Sequence, residues 1–213
     1  MRIQNAKRFT KVDIQWGYNN VHIKKGDKHK AAFITNQGLF KPTVMFFRLT
    51  NSPATFQMMM NAIFAEEIAE GWLIVYMDNI LVATKDDQEF HNQCVHQMLE
   101  KLKKHDLYLK PEKCVFNQTR IKFLGVILEG RTIQMDPVKV KGMADWPPPQ
   151  NITDICSFLG FTGFYCYFIT NYSLIARPMI QLTWKNTPFN WDPDCTRTFK
   201  HLKSLMCAKL ILQ

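Results

Sequence analysis

Residues 72–84 form the segment that most constrains what this chain can fold into. Two short apolar runs, Trp72–Tyr76 and Ile80–Thr84, flank the polar pair Asp78-Asn79. Each run has the length and the Val, Ile and Leu content of one buried strand. The segment therefore predicts a β-hairpin with a carboxylate at its tip, held on a rigid scaffold but within reach of solvent and a metal ion. Asp-Asn is also common turn chemistry, so the pair alone leaves a structural turn as the alternative to a catalytic Asp78.

A second carboxylate lies in an apolar strand pattern near the start of the chain. Asp13 is flanked by Phe9, Val12 and Ile14. A carboxylate among apolar neighbours is unfavourable unless it is paired or binds a cation. Two carboxylates brought together repel each other, and a divalent cation such as Mg²⁺ removes that repulsion. Asp13 and Asp78 are therefore candidate ligands of a shared metal.

These segments resemble the conserved boxes of one enzyme family. Tyr76-Met77-Asp78-Asn79 is similar to the Tyr-x-Asp-Asp box of reverse transcriptases, with Asn in place of the last Asp. Phe9–Asp13 resembles the strand with the first catalytic Asp, and Phe47–Gln57 resembles the segment between them. The order and spacing are similar to those of gypsy-type LTR retrotransposon polymerases. The similarity continues through Phe123-Leu124-Gly125, Asp136-Pro137, Trp146-Pro147 and Ser157-Phe158-Leu159-Gly160.

The resemblance implies an RNA-directed DNA polymerase that acts by two-metal nucleotidyl transfer. Its cofactor would be Mg²⁺, with two ions in an active member, and its partners an RNA/DNA template-primer and dNTPs. Asp13 and Asp78 would hold the ions together with the backbone carbonyl of Ile14. Asn79 occupies the third catalytic position in degenerate form.

The resemblance also implies residues that bind the substrates. Those at the incoming nucleotide would be Tyr18, Phe47, Arg48 and Met77. Those at the template-primer would be Tyr76, Pro53, Phe56, Gln57 and Gly125. Tyr18 would exclude a 2′-hydroxyl by its bulk, and ordinary strand packing is the alternative for this residue.

Departures from the family pattern predict impaired chemistry. Asn79 removes one negative charge from the metal site, and Arg48 stands where the family usually has Gly. Cys166-Tyr167 replaces an Arg pair. We expect a truncated and degenerate copy whose polymerase activity is weak or lost. A working polymerase, an inactive nucleic-acid-binding remnant and a non-functional element relic stay open as alternatives.

The element pattern predicts an α+β fold in two regions. Residues 1–135 are expected to form a polymerase palm with an antiparallel sheet and partial fingers. Residues 136–213 are expected to form a small helical thumb or connection-like region, after a boundary marked by Asp136-Pro137 and Trp146–Pro149. The N-terminal strands of the family and its ribonuclease H domain are expected to be absent.

Individual elements follow from periodicity and turn residues. A strand pair is predicted over 21–35 around Gly26-Asp27, and a hairpin over 120–135 turning near Gly130. One helix is predicted to begin at Asn51 or Ser52 and to end at Gly71. A second helix is predicted to begin at Asp86. Three more are predicted at about 151–169, 171–182 and 193–207.

Charge and composition agree with a nucleic-acid partner. The 213 residues are 46% hydrophobic and carry a net charge of +9. Residues 1–30 have eight Lys or Arg against two Asp, and residues 101–122 have seven against two acidic residues. Such basic segments beside aromatic residues suit phosphate contacts and base stacking. A solvated helix face explains the run of Lys101, Lys103 and Lys104 equally well.

Other sequence features narrow the functional class. The six cysteines show no Cys-x-x-Cys pair, which argues against a zinc site. No apolar run approaches the roughly 18–20 residues that span a bilayer. We therefore expect an intracellular protein of the cytoplasm or nucleus with no membrane partner, and the sequence leaves its oligomeric state undetermined.

Overall fold

The computed structural model describes residues 5–130, 132–166 and 169–207. Tyr167, the second residue of the Cys166-Tyr167 pair, lies outside these ranges. The chain divides into two compact units, Met1–Phe123 and Leu124–Gln213. The division falls before the predicted boundary at 135/136, because the last β-hairpin belongs to the second unit.

A four-stranded antiparallel sheet is the framework of the first unit. Its spatial order is β4 (Leu73–Tyr76), β5 (Asn79–Thr84), β1 (Arg8–Asp13) and β6 (Val115–Gln118). The helices of this unit are α1 (Ser52–Ile63), α2 (Ala65–Glu70) and α3 (Gln88–Lys104). The predicted hairpin over 72–84 and the predicted α+β class are confirmed. The helix predicted to end at Gly71 is interrupted at Phe64, which separates α1 from α2, and the helix predicted from Asp86 begins at Gln88.

The two faces of β1 and β5 have different neighbours. Val12, Ile80 and Val82 belong to the core cluster that includes Phe56 of α1 and Met98 of α3. Side chains alternate between faces along a strand, so Asp13 and Asn79, which are directly paired, lie on the opposite face. The helices therefore support the sheet from behind and leave this polar pair away from the core cluster.

The strand pair predicted over 21–35 is wrong. Residues 28–31 form a 3₁₀ turn, and the hairpin that does form joins β2 (Phe33–Thr35) to β3 (Gly38–Phe40). His22 instead forms a bridge with Val44. The Gly26-Asp27 signal marks a real bend, but the partner of residues 21–23 comes from a distant segment, which local turn chemistry cannot indicate.

The second unit combines a hairpin with helices. It contains β8 (Val126–Glu129), β9 (Thr132–Met135), α4 (Pro137–Ala144), α5 (Ile152–Gly163), α6 (Tyr172–Gln181) and α7 (Pro193–Cys207). Helix α4 was not predicted. The first strand of the hairpin predicted over 120–135 is interrupted at Leu124-Gly125, which separates β7 (Arg120–Phe123) from β8. Pro137 begins α4, and the Asp136 side chain caps it by accepting from the Val138 N–H at 3.2 Å.

No helix in the described ranges is both long enough and apolar enough to cross a bilayer.

A buried histidine links β1 and β5 to α3. His91 Nε2 lies 2.8 Å from Thr10 Oγ1, and its Nδ1 lies 2.8 Å from Thr84 Oγ1. The Thr84 hydroxyl donates to the Lys85 carbonyl, and Thr10 Oγ1 accepts from the Asn117 N–H. This order of donors assigns the proton to Nδ1 and leaves Nε2 to accept from Thr10. The network is therefore complete only with a neutral imidazole.

We predict that His91 makes folding stability depend on pH. Burial, and secondarily the charge of Arg8, lowers the pKa of the imidazole. The unfolded chain takes up a proton as the pH falls through about 6.5, whereas the folded chain resists it. Stability is thus retained above that pH and lost below it, with a slope of at most about 1.4 kcal/mol per pH unit from one proton.

Urea unfolding of the protein and of His91→Gln between pH 5 and 8 measures this slope. Subtracting the variant's slope removes the contribution of the other titrating groups. Equal slopes for the two proteins would show that His91 does not contribute.

Candidate functional site

The pairing of β1 with β5 brings the two candidate carboxylates to one place. Asp13, the last residue of β1, is directly paired with Asn79, the first residue of β5. One residue further, the Ile14 N–H donates to the Asp78 carbonyl at 2.8 Å. Asp13 and Asp78 therefore come from segments joined by a main-chain hydrogen bond, although they are far apart in the sequence.

The turn that carries Asp78 lies one residue earlier than the sequence analysis placed it. Tyr76 pairs with Asn79, so the turn consists of Met77 and Asp78, and Asn79 is already in β5. Met77 has a left-handed backbone with φ of +55°. Two-residue hairpin turns commonly require such a conformation.

A side chain from α1 holds this turn. The Met77 N–H donates to Gln57 Oε1 at 2.6 Å, and Gln57 Nε2 donates to the Val75 carbonyl at 3.2 Å. The amide thus satisfies main-chain groups that the hairpin leaves without partners. Gln57 was expected at the template-primer, and its contacts here fix the backbone next to Asp78.

Asn79 contacts the neighbouring carboxylate directly. Its Nδ2 donates to Asp78 Oδ1 at 3.1 Å. A carboxylate at position 79 could not make this bond, because an ionised side chain has no proton to donate. The amide therefore replaces a repulsion between adjacent charges by an attraction.

Asp13 is nearly inaccessible to solvent and is paired with two lysines. Its Oδ1 lies 3.2 Å from Lys110 Nζ, and its Oδ2 lies 3.8 Å from Lys113 Nζ. Oδ1 is buried and has no hydrogen bond, so the contact with Lys110 is an ion pair without the directionality of a hydrogen bond. The main chain adds a further link, because the Lys110 N–H donates to the Asp13 carbonyl at 2.9 Å.

A cavity of about 210 Å³ opens beside these groups. Its lining residues are Trp16, Gly17, Tyr18, Asn19, Phe47, Phe56, Asp78 and Lys110. Aromatic walls with one carboxylate and one ammonium group suit a planar ligand that also carries charge.

Tyr18 and Phe56 shape one wall of this cavity. The two rings meet edge to face with centroids 5.7 Å apart, and the Tyr18 hydroxyl donates to Met77 Sδ at 3.7 Å. Tyr18 lies in a 3₁₀ helix, Gly17–Asn20, and not in a strand. A Cβ at Gly17 would come within 2.9 Å of the Phe56 ring, so a glycine is required for this close packing.

The other residues expected to bind substrates lie in varied positions. Phe47 is 72% exposed and Tyr76 is 51% exposed. Pro53 lies in the first turn of α1, where a proline is well tolerated. Arg48 is exposed and has a φ of +80°, a left-handed conformation that favours the glycine typical of the family at this position.

Gly125 belongs to the second unit and is considered there by itself. Its φ is +81°, and the space that a Cβ would need is taken by the Lys139 ammonium. That ammonium also lies over the Phe164 and Tyr165 rings, 5.5 and 5.8 Å from their centroids. The missing side chain at Gly125 thus admits a lysine of its own unit.

The donor atoms at the first-unit site fit a divalent cation. Asp13 and Asp78 come from segments joined by a main-chain hydrogen bond, and one buried oxygen of Asp13 has no hydrogen bond, which is a position that a cation could fill. The number of side-chain ligands is small. In the described part of the chain, no group of three or more His, Cys, Asp or Glu side chains is arranged to hold a metal ion. Neutral oxygens of the main chain and Asn79 would have to complete the coordination.

Sequence reasoning missed the two lysines beside Asp13. Residues 101–122 were predicted only to be a basic segment. The apolar neighbours of Asp13 indicated that its carboxylate needs either a partner or a cation. Leu109 forms a bridge with Ile14, and this long-range contact brings Lys110 to the carboxylate. The charge requirement was readable from the sequence, whereas the identity of the partner was not.

Another lysine of the basic segment is also paired inside the first unit. Lys101 Nζ lies 2.7 Å from Glu67 Oε1 and 3.0 Å from Glu66 Oε2. Glu67 is fully buried, so its carboxylate needs this ammonium. The hydrogen bond that Lys101 donates to Glu67 is the main reason that the pKa of Lys101 is raised. Lys101 is thus a structural residue, whereas Lys103 and Lys104 are exposed on α3.

We predict that Arg48→Gly stabilises the first unit. A left-handed conformation costs a non-glycine residue roughly 1–2 kcal/mol, and glycine loses roughly 0.5–1 kcal/mol more backbone entropy on folding. The net gain should be about 0.5–1 kcal/mol in the free energy of unfolding. Urea denaturation measures it, with Arg48→Ala as the matched control, because alanine removes the charge and keeps the Cβ. A gain in the alanine variant as large as in the glycine variant would assign the effect to charge.

Comparison with known proteins identifies related sequences. The profile of the family described as "Reverse transcriptase (RNA-dependent DNA polymerase)" matches residues 1–128. The chain is 34% identical over 219 residues to the Retrovirus-related Pol polyprotein from transposon opus of Drosophila melanogaster, and the match covers 98% of this chain and 22% of that protein. It is 31% identical over 212 residues to the Transposon Tf2-7 polyprotein of Schizosaccharomyces pombe, covering 100% of this chain and 16% of the polyprotein. The chain thus spans only about a fifth of the length of these relatives.

Solved structures with a similar fold include a viral protease-reverse transcriptase. The foamy viral protease-reverse transcriptase in complex with an RNA/DNA hybrid superposes with a TM-score of 0.82 at 20% identity, over 100% of this chain and 29% of that chain. The same viral enzyme in its dRH form, in complex with double-stranded DNA, gives a TM-score of 0.80 at 20% identity, over 96% and 36%. At this identity the similarity establishes the fold.

Proposed function

The chain belongs to the reverse transcriptase (RNA-dependent DNA polymerase) family, and we propose that it is a polymerase domain that extends a primer on an RNA or DNA template. The observation that carries the proposal is the main-chain bond from Ile14 to Asp78, which brings Asp13 and Asp78 together beside an aromatic cavity. One carboxylate at the end of a strand and another in the adjoining turn suit phosphoryl transfer, in which positioning and charge neutralisation supply most of the catalysis.

The proposed metal site consists of Asp13, Asp78 and the Ile14 carbonyl. Divalent cations held there, Mg²⁺ in the first place, would lower the pKa of the primer hydroxyl and neutralise charge on the phosphates. The rigid pairing of β1 with β5 would keep the carboxylates in a fixed geometry.

The proposed nucleotide site is the cavity itself. Tyr18 would lie under the sugar and exclude a 2′-hydroxyl by steric bulk, and its packing on Phe56 keeps the ring in place. Phe47 would face the base, because its ring is exposed and lines the cavity. Met77, which accepts a hydrogen bond from the Tyr18 hydroxyl, would contact the nucleotide from the hairpin turn. Arg48 would bring a positive charge to the edge of the cavity.

The template-primer is proposed to lie along the hairpin and α1. Tyr76 is exposed at the end of β4 and would meet the primer terminus. Gln57 would act indirectly by holding the turn, and Pro53 and Phe56 would support the strand from α1. Gly125, in the second unit, would meet the primer backbone together with Lys139.

We assign the family's subdomains to the chain in the same way. Residues 1–135 would be the palm with partial fingers, and residues 136–213 the thumb or connection-like region. In the two units of the structure, β8 and β9 belong with the helices of the second unit.

Asn79 is proposed to reduce the rate of this chemistry. A carboxylate at this position would add a charge that faces the cations, and removing one preorganised group costs a rate factor on the order of 10²–10³. The hydrogen bond from Asn79 to Asp78 would also compete with the binding of a cation by Asp78. Nucleic-acid binding without polymerisation is the second candidate function, and the neutral amide at position 79 favours it.

Primer extension on poly(rA)/oligo(dT) with Mg²⁺ distinguishes these functions. We expect slow extension by the unmodified chain and a rate higher by a factor on the order of 10²–10³ for Asn79→Asp. Asp13→Asn should give no extension above background, whether it is combined with Asn79→Asp or not. Asn79→Ala, which removes the amide without adding a carboxylate, is the matched control and should not gain activity. No extension by Asn79→Asp, with retained binding of the template-primer, would favour the second candidate.

We also expect template-primer binding that tolerates any sequence and weakens steeply with salt. Lys24→Ala/Lys25→Ala should reduce the slope of log K against log salt by about 1–2, because those exposed side chains are free to meet phosphates. The charge-matched control is Lys103→Ala/Lys104→Ala, which should change the slope less. These lysines lie in the last turn of α3, where their charge stabilises the helix end. Fluorescence anisotropy with a labelled duplex from 50 to 200 mM salt measures both slopes, and affinity that does not vary with salt would contradict the prediction.

A further inference from the structure

The charges at the candidate metal site are already balanced by the protein itself. Asp13 and Asp78 contribute two negative charges, Asn79 contributes none, and the ammonium groups of Lys110 and Lys113 lie within 4 Å of Asp13. A cation entering this site would meet a neutral group of side chains and not an acidic cluster. Electrostatic attraction for a divalent ion is correspondingly small.

Lys110 is held beside Asp13 by its own main chain. Its N–H donates to the Asp13 carbonyl at 2.9 Å, and residues 111–113 form a 3₁₀ turn directly after it. The ammonium is therefore always present at high local concentration, as for any tethered ligand. Removing it from the carboxylate requires only a change of side-chain rotamer.

The contact between Lys110 and Asp13 is electrostatic and not directional. Oδ1 of Asp13 lies 3.2 Å from Lys110 Nζ, yet this buried oxygen makes no hydrogen bond. The ammonium neutralises the carboxylate and leaves a lone pair without a donor. A metal ion and Lys110 would therefore compete for the same oxygen atom.

We propose that Lys110 is a built-in competitor of the divalent metal, which must displace the lysine from Asp13 before it can bind. This inference rests on the proposed function, because it takes Asp13 as a metal ligand. Lys110 also lines the aromatic cavity, so the displaced ammonium stays beside the space where a phosphate-bearing ligand would lie. Lys113 contributes less, since its Nζ is 3.8 Å from the carboxylate and its side chain is 55% exposed.

Direct titration of Mn²⁺ tests this competition without any measurement of polymerase activity. Mn²⁺ is added to the full chain in low-salt buffer, without nucleotide or nucleic acid, and the free ion is counted by electron paramagnetic resonance. Lys110→Met, which retains most of the aliphatic stem, should bind Mn²⁺ on the order of tenfold more tightly or better, because a charge repelling the ion at contact distance is removed. Lys110→Arg should keep the weak affinity of the unmodified chain.

Two controls separate this effect from a general change of charge. Lys103→Met removes the same charge from an exposed site on α3 and should change the Mn²⁺ affinity by less than about twofold, because solvent screens distant charges. Asp13→Asn should abolish the gain, so that Asp13→Asn/Lys110→Met binds no better than Asp13→Asn. Equal affinities for Lys110→Met and Lys103→Met would overturn the proposal.

The same titration distinguishes failure of this inference from failure of the proposed function. If Asp13→Asn weakens Mn²⁺ binding but Lys110→Met does not strengthen it, Asp13 is a ligand and the competition is absent. If Asp13→Asn has no effect in any background, the proposed metal site itself is wrong.

Folding of the variants is checked by circular dichroism in EDTA and in Mn²⁺. Removing Lys110 leaves a buried carboxylate with less compensation, so Lys110→Met should lose stability in EDTA and regain it with Mn²⁺. If Lys110→Met does not fold in either condition, Lys110→Gln, whose neutral amide can still donate to Asp13, carries the test. No increase in the Mn²⁺ affinity of that variant would then overturn the proposal.

Discussion

The pairing of β1 with β5 is the interaction on which the rest of the candidate site depends. It sets Asp13 opposite Asn79 and continues into the bond from Ile14 to Asp78. Because side chains alternate along a strand, the same register directs Val12 and Ile80 into the core beneath α1 and α3. A slip of one residue would bury the carboxylate among apolar side chains. The hydrophobic core and the polar site therefore specify the same register.

Buried carboxylates recur in the first unit, and each is neutralised by a lysine from a distant segment. Asp13 is paired with Lys110, and Glu67 is paired with Lys101. An ionised carboxylate cannot be buried without such compensation. The surroundings differ, because Glu67 of α2 is paired with Lys101 of α3, while the lysine paired with Asp13 lines a cavity. The same electrostatic requirement thus produces a pair between helices in one place and a pair at the edge of a cavity in the other.

Left-handed backbone conformations mark the edges of the site. Trp16, Arg48 and Met77 all have positive φ and none is a glycine. Residues of this kind are strained and persist where neighbouring contacts hold them, as Gln57 holds Met77. Two of them, Trp16 and Arg48, adjoin the cavity-lining residues Gly17 and Phe47. The cavity is therefore built partly from turns that the surrounding packing imposes.

Much of the second unit followed from local sequence signals. The three predicted helices after residue 150 are present because apolar periodicity and capping residues act within a few positions of each other. The short helix α4 was missed, since its proline and glycine, together with the prolines that follow at 147–149, resembled a linker. The hydrogen bond that the Val138 N–H donates to the Asp136 side chain at its start is visible only in three dimensions.

The sequence by itself determined the family, the α+β class and the hairpin over 72–84, and it indicated Asp13 and Asp78 as candidate metal ligands. These depend on residue types at fixed short spacings, where strand periodicity and turn chemistry are decisive. Tertiary structure alone decided that Lys110 neutralises Asp13, that Gln57 holds the turn, and that residues 21–23 pair with residues 43–45. Each of these contacts joins segments that are separated in the chain and could have met other partners. The choice among those partners is made by the packing of the whole unit, because only there do burial and charge compensation act on all the segments together.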